Sequence, residues 1–278
     1  MARARKLKFD KVGYWSEIKL DIVKEYAKAY STILTAQKRF SHIYIDAFAG
    51  AGVHISKKTG GFIPGSPLNA LLIQPPFQEF HFIDLDGQKV NHLERLVEGR
   101  TGVHICLGDC NRILLNQIFP NVKYEAFRRG LCLLDPYGLD LDWEVIRTGG
   151  QMKSIDLFLN FPIMDMNRNV LWKNPQGIDT ADVARMDAFW GDESWRSIAY
   201  KSEHDLFGLH EERADIDMIA EAFRERLRSV AGFGNVPAPL PMRNTKGAVV
   251  YYLFFASQKP VANEIVTQIF DKYRPRVS

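Results

Sequence analysis

The chain has 278 residues, 46% of them hydrophobic and 25% charged, with a formal net charge of +3 at pH 7. This composition is normal for a globular protein and allows a substantial buried core. No apolar run is long enough to span a membrane, so we expect no membrane-spanning segment, and the small net charge does not by itself indicate a nucleic-acid binder.

The N-terminal part predicts a helix, a strand and a glycine-rich turn. Residues 1–11 carry five basic residues against one acidic residue and predict a solvated, disordered tail. Apolar residues at helical spacing over 16–34 predict an amphipathic helix. The apolar run 43–45 predicts a buried strand that ends at Asp46, and Gly50 and Gly52 follow it. Because glycine lets a ligand approach the backbone closely, this turn suits a nucleotide-like ligand.

The middle of the chain repeats this alternation of strand and helix. Residues 54–65 are predicted to form an irregular loop, and Ser66-Pro67 to begin a helix, with Ser66 as the N-cap. Four more strands are predicted at 80–84, 103–107, 131–134 and 155–159. Five alternations with short turns predict a parallel sheet with helices on both faces. Its strand ends should share one edge, where ligands of α/β sheets bind. The polar residues at or just after the five strand ends are Asp46, Asp84, Asp109, Asp135 and Asn160.

After Pro162 the alternation stops. Residues 163–232 are predicted to form a mostly helical insertion that covers the strand ends. The Pro-rich run 236–241 suits only an edge strand, and 249–255 predicts a strongly apolar antiparallel strand before a last helix.

The cysteines and histidines do not indicate a metal site. Three cysteines are few and odd in number, which favours a reducing, cytoplasmic location over a disulfide scaffold. The pair Cys106 and Cys110 is not predicted to form a metal or cluster site. His81 lies inside an apolar strand and is predicted to pack in the core. The histidines without a known metal-ligand spacing are His42, His54, His81 and His92.

The strand ends match the contacts that an adenosine cofactor needs. A glycine turn permits backbone approach, an acid after the second strand can accept the ribose hydroxyls, and an acid after the third can accept the adenine amine. The residues in these places are Gly50 and Gly52, Asp84 or Asp86, and Asp109. The turn lacks the third glycine of a dinucleotide motif, and Asp46 would repel a pyrophosphate. The pattern therefore favours S-adenosylmethionine and leaves a nicotinamide-dependent oxidoreductase as a less favoured alternative.

These motifs resemble those of class I S-adenosylmethionine-dependent methyltransferases. Asp46-Ala-Phe-Ala-Gly50-Ala-Gly52 resembles their first motif, Asp84 the second, Gly108-Asp109 the third and Asp135-Pro136-Tyr137-Gly138 the fourth. More narrowly, nearly the whole chain resembles the three-Cys-motif partner (TcmP) family of bacteria and phages. The further residues that carry this resemblance are the helix around Lys19 to Tyr30, Gly65-Ser66-Pro67-Leu68, Leu139 and Tyr251-Tyr252-Leu253.

The resemblance implies one domain with a Rossmann-like class I methyltransferase fold. Its sheet would be seven-stranded and mostly parallel, with helices on both faces. Its segments would be a leading basic arm and helix (1–40), a cofactor-binding core (41–162), a helical insertion (163–232), and C-terminal strands and a helix (233–278). The implied S-adenosylmethionine-binding residues are Asp46, Phe48, Gly50, Gly52, Asp84, Asp86 and Asp109. The family name further implies a separate partner protein with three cysteines.

The fourth motif bears on the methyl acceptor. The fourth motif resembles the Asp/Asn-Pro-Pro-Tyr/Phe motif of amino-methyltransferases that act on nucleobases. In those enzymes the acid and the first proline carbonyl accept hydrogen bonds from an exocyclic amine, and the aromatic ring stacks on the base. This chain lacks the second proline and is closer to the Asp-Pro-Phe-Gly of enzymes that dimethylate guanine amines in transfer RNA. The resemblance implies catalytic roles for Asp135, Pro136 and Tyr137, with Asn160 in the same pocket. A different methyl acceptor, or a catalytically silent subunit that binds its partner, stay open as alternatives.

Overall fold

The structure is a computed structural model that describes residues 9–173, 175–205 and 208–277. Most of the predicted basic tail, residues 1–8, lies outside these ranges. The elements are β1 (Lys11–Val12), α1 (Tyr14–Ala36), β2 (Ser41–Asp46), β3 (Val53–Ser56), β4 (Phe62–Pro64), α2 (Ser66–Leu71), β5 (Glu79–Asp84), α3 (Gly87–Leu96), β6 (Val103–Leu107), α4 (Cys110–Ile113), β7 (Arg128–Leu134), α5 (Trp143–Met152), β8 (Ile155–Phe161), α6 (Ile163–Asn169), α7 (Thr180–Trp190), α8 (Trp195–Ala199), β9 (Tyr200–Asp205), β10 (Gly208–Arg213), α9 (Ile216–Ser229), β11 (Leu240–Arg243), β12 (Val249–Ala256) and α10 (Pro260–Val277).

The main sheet has seven strands in the order β11-β12-β8-β7-β2-β5-β6. The four pairings from β8 to β6 are parallel. Strand β12 is antiparallel to both of its neighbours, so β11 runs in the same direction as the parallel strands. The sheet is therefore mixed, and the predicted antiparallel strand at 249–255 is confirmed as β12.

Apolar side chains cover both faces of this sheet. The inner strand β2 is buried along almost its whole length, with Ile43 and Ile45 on one face and Tyr44 on the other. Helices α4–α9 contribute to the core on the first face, and helices α1, α2, α3 and α10 to the core on the second. This sandwich explains why the inner parallel strands β2 and β7 contain continuous apolar runs rather than alternating ones.

The loop predicted at 54–65 is instead a small sheet, and that prediction is wrong. Strands β3 and β4 form an antiparallel hairpin, and β1 pairs with β3 in parallel. Gly60 adopts φ +73° in the turn, and its N–H donates to the Ser56 carbonyl at 2.8 Å. The strand partner β1 lies far away in the sequence, so the local residues alone did not indicate the pairing. Ser66 begins α2 itself, and Gly65 takes the N-cap position.

The insertion at 163–232 is also not purely helical. It holds α6 to α9, but β9 and β10 form an antiparallel hairpin between α8 and α9. The predicted edge strand begins later than expected, at Leu240, because Pro237 and Pro239 have no N–H to donate to a strand partner. No helix among the described residues is long and apolar enough to cross a membrane.

Candidate functional site

The glycine turn after β2 and the acid after β5 are joined by a hydrogen bond. The Gly50 N–H donates to Asp84 Oδ2 at 2.8 Å. Gly50 and Gly52 have φ +64° and +78°, which favours glycine at both positions. Among the described residues, a Cβ at Gly50 would meet only the His54 ring, at 3.9 Å, whereas one at Gly52 would lie 2.8 Å from Leu93. Gly52 thus permits close packing of α3, and Gly50 leaves space for a ligand.

Asp46 is fully buried where β2 ends. Its Oδ1 accepts a hydrogen bond from the Phe48 N–H at 3.2 Å, but its Oδ2 is buried and makes no hydrogen bond to any described residue. Burial raises the pKa of Asp46 to about 7, although the Phe48 N–H and the nearby Ser66 hydroxyl, which makes no hydrogen bond of normal geometry to the carboxyl, oppose the rise. A buried acceptor without a partner is rare, and a ligand donor would satisfy it.

The acids after β5 and β6 are oriented by backbone N–H groups. Asp84 Oδ1 accepts from the Asp86 N–H at 2.8 Å. Asp86 caps α3 and Asp109 caps α4, each accepting a backbone N–H, at 2.8 and 3.1 Å. Leu85 and Leu107, 76% and 60% exposed, lie next to these acids in the chain. Sequence reasoning missed both leucines, although apolar side chains beside acids suit a planar base that carries an amine.

The fourth motif contacts a lysine that the sequence analysis did not assign to the site. Lys19, on α1, forms an ion pair with Asp135, and its side chain is only 8% exposed. Its ammonium also lies 5.4 Å from the centre of the Tyr251 ring. Lys19 occupies the buried face of α1 together with Ile22 and Tyr26, where an apolar residue is expected. A charged residue on that face was the signal that could have found it.

Asn160 and Pro136 are in contact. Asn160 Nδ2 donates to the Pro136 carbonyl at 3.3 Å. The Asn160 Oδ1 atom is buried and makes no hydrogen bond to any described residue. The two groups expected to accept an amine, Asp135 and the Pro136 carbonyl, are therefore each engaged within the chain. The Asn160 oxygen offers a further acceptor beside them.

Tyr137 is held by the residues that precede β1. Its ring is 71% exposed, and its hydroxyl donates to Asp10 Oδ2 at 2.9 Å. Lys89, in α3, donates to the same oxygen at 2.8 Å and lies 5.3 Å from the Tyr137 ring centre. Burial raises the pKa of Asp10, but these two hydrogen bonds outweigh it and hold the pKa below its usual range. The N-terminal segment thus bridges α3 and the fourth motif.

Two further groups adjoin the site. His54, on β3, has a buried Nδ1 without a hydrogen bond to the described residues, and burial and the Lys19 charge lower its pKa. The insertion reaches the fourth motif, because a Cβ at Gly138 would lie 2.9 Å from an Asp165 oxygen and 3.2 Å from an Arg185 nitrogen. The expectation that the insertion walls the substrate side is compatible with these contacts and stays a prediction.

Comparison with known proteins gives a fold and not a family. A scan of protein-family models and a search of curated proteins find no match. Among solved structures, a Legionella pneumophila protein of the family model DUF519 matches with a TM-score of 0.53 and 12% identity, over 92% of this chain and 93% of that one. A Thermobifida fusca protein named as a putative methyltransferase matches with a TM-score of 0.46 and 12% identity, over 88% and 80% of the chains. A Listeria monocytogenes protein named as a putative S-adenosylmethionine-dependent methyltransferase matches with a TM-score of 0.43 and 9% identity, over 79% and 92%. The likeness to the Legionella protein shows a shared fold.

Proposed function

We propose that the chain binds S-adenosylmethionine at the carboxyl edge of its sheet and transfers the methyl group to an acceptor held at the fourth motif. The observation that carries this proposal is the unpartnered, buried Oδ2 of Asp46 beside the open turn at Gly50. The proposed cofactor-binding residues are Asp46, Phe48, Gly50, Gly52, Asp84, Asp86 and Asp109, with Leu85 and Leu107 beside the adenine.

Asp46 suits a cationic ligand better than an anionic one. S-adenosylmethionine carries a sulfonium and an ammonium group, and it supplies a methyl group that is activated for displacement by a nucleophile. A nearby positive charge stabilises the carboxylate of Asp46, whose pKa burial raises to about 7. Binding at neutral pH should therefore release a proton from Asp46. A pyrophosphate would instead face a buried group that can only be neutral or negative.

The acceptor side is proposed to hold an amine of a nucleobase. Asp135 is kept in position by Lys19, and the amine would share or replace that contact. The unpartnered Oδ1 of Asn160 can accept a second hydrogen from the amine, while Asn160 Nδ2 fixes the Pro136 carbonyl. These groups mainly align the nitrogen with the methyl group, which supplies much of the rate in a displacement of this kind. Tyr137 would have to leave Asp10 to stack on the base.

A catalytically silent subunit is the second candidate, and one observation favours it. Asp135, the Pro136 carbonyl and the Tyr137 hydroxyl are all satisfied by groups of this chain. In that case the fold would serve to bind the three-Cys-motif protein that the sequence resemblance implies. The partner protein and a nucleic-acid substrate are therefore parts of this proposal rather than findings.

Methyl transfer itself separates the two candidates. The full chain, alone and with its co-expressed partner, should be incubated with radiolabelled S-adenosylmethionine and separate pools of total RNA, DNA and protein. Label in a nucleic-acid pool that disappears with Asp135→Ala supports the enzyme. A stable complex with the partner that labels none of the pools, but still binds the cofactor, supports the silent subunit.

A further inference from the structure

Three metal-ligating side chains meet on strands β5 and β6, away from the candidate cofactor site. Glu79 and His81 are alternate residues of β5 and so share a face, and His104 stands directly opposite His81 on β6. The two imidazole rings are stacked, with 4.8 Å between their centres and 17° between their planes. One ligand atom from each of the three residues lies within 4.8 Å of the others. We call these residues the β5–β6 cluster.

His81 is not a core residue, so that prediction is wrong. Its side chain is 17% exposed and lies 3.5 Å from Glu79 Oε2. His104 is exposed, so its ring is free to rotate toward the other two ligands.

The donor set of two imidazoles and one carboxylate is one that zinc accepts, with a fourth position left for water. Tetrahedral zinc with bonds of about 2.1 Å places its ligand atoms about 3.4 Å apart. The separations in the β5–β6 cluster are larger by about 1.4 Å at most, a gap that a change of the exposed His104 rotamer can close. The two strands fix the remaining geometry.

Arg128 sets the expected metal preference. Its guanidinium donates to Glu79 Oε2 at 2.8 Å and so orients the carboxylate and balances its charge. A carboxylate has further lone pairs, so this hydrogen bond still permits metal binding. With its negative charge compensated, the cluster should select metals that prefer imidazole, such as zinc, over magnesium or calcium.

We propose that Glu79, His81 and His104 form a zinc-binding site that joins the edge strand β6 to β5. Zinc binding at this site does not require that the chain transfers a methyl group. His81 precedes Asp84 by three residues, about 10 Å along the strand. A zinc ion here would hold in place the two strands whose ends carry Asp84 and Asp109, and would thereby stabilise the proposed adenosine side of the cofactor site.

Calorimetric titration of the metal-free full chain with zinc chloride tests this proposal. We expect one zinc ion per chain with micromolar affinity, a zinc-dependent rise in melting temperature, and no heat with magnesium chloride. His104→Ala should weaken binding at least tenfold, and because His104 is exposed this variant should fold normally. His92→Ala, which removes a half-buried histidine of α3 outside the β5–β6 cluster, is the control and should bind zinc as the wild type does.

Cobalt(II) substitution tests which atoms bind the metal. We expect a visible spectrum of imidazole and carboxylate ligation, without thiolate charge-transfer absorption, and the same spectrum in Cys106→Ser. No zinc binding by the wild type, or unchanged binding by both His104→Ala and His81→Ala, overturns the site. Binding that is lost in Cys106→Ser and retained in His104→Ala also overturns it.

Discussion

Replacing Asp46 by asparagine should make the protein more stable at pH 8. The substitution keeps the shape of the side chain and removes its charge. Burial raises the pKa of Asp46 from 3.8 to about 7, which corresponds to about 4 kcal/mol at about 1.4 kcal/mol per pH unit. Because the folded-state pKa lies above the unfolded one, the folded protein binds the proton more tightly. The stability that this proton provides is full below about pH 4 and is lost as the pH rises to about 7.

Urea unfolding of wild type and Asp46→Asn at pH 5 and pH 8 measures this effect. The free energy of unfolding of Asp46→Asn minus that of the wild type should increase by about 2–3 kcal/mol from pH 5 to pH 8. Asp21→Asn, an exposed substitution on α1, is the control and should show no such change. If the difference in free energy of unfolding between wild type and Asp46→Asn does not depend on pH, Asp46 is not a buried carboxyl that lacks hydrogen-bond partners.

Three further predictions concern the proposed site. Asp135→Ala should raise the activation free energy of methyl transfer by about 3 kcal/mol or more and change cofactor affinity little. Asp109→Ala should instead weaken cofactor binding first. Calorimetry and a labelled-methyl assay that show the reverse would contradict the assigned roles. Lys19→Met leaves Asp135 unpaired and should lower the free energy of unfolding by about 2 kcal/mol. In the same urea titrations the exposed control Lys24→Met should change the free energy of unfolding little. Equal effects of the two substitutions would argue against the ion pair. Asp10→Asn weakens the contacts of Asp10 with Lys89 and Tyr137 and should speed cofactor exchange in stopped-flow experiments. An unchanged exchange rate would show that these contacts do not control access to the site.

The parallel strands of the main sheet and the acids at their ends could be predicted because their signals are local. An apolar run followed by a polar residue and a glycine defines the end of β2 at Asp46, and the same pattern defines the end of β5 at Asp84. Parallel pairing then brings such ends to one edge without further information. The bounds of β6 match the prediction completely, since its apolar run is flanked by glycines.

The contacts that modify the site could not be predicted, because each joins distant parts of the chain. Lys19 meets Asp135, and Asp10 meets Tyr137, only after α1 and β1 have packed against the sheet. His81 finds its neighbour through the β5–β6 register and not through sequence spacing. The same reason explains the missed sheet of β1, β3 and β4: its strands are only two to four residues long, and they are defined by their partners.

The proposed function requires that the chain binds S-adenosylmethionine. Calorimetry of the wild type with S-adenosylmethionine and S-adenosylhomocysteine should show one site per chain, and Asp84→Ala should bind both at least about tenfold more weakly, because it removes the acceptor for the ribose and the partner of the Gly50 N–H. A nicotinamide dinucleotide should give no heat. A wild-type protein that ignores both S-adenosyl ligands at millimolar concentration and binds the dinucleotide would contradict the account.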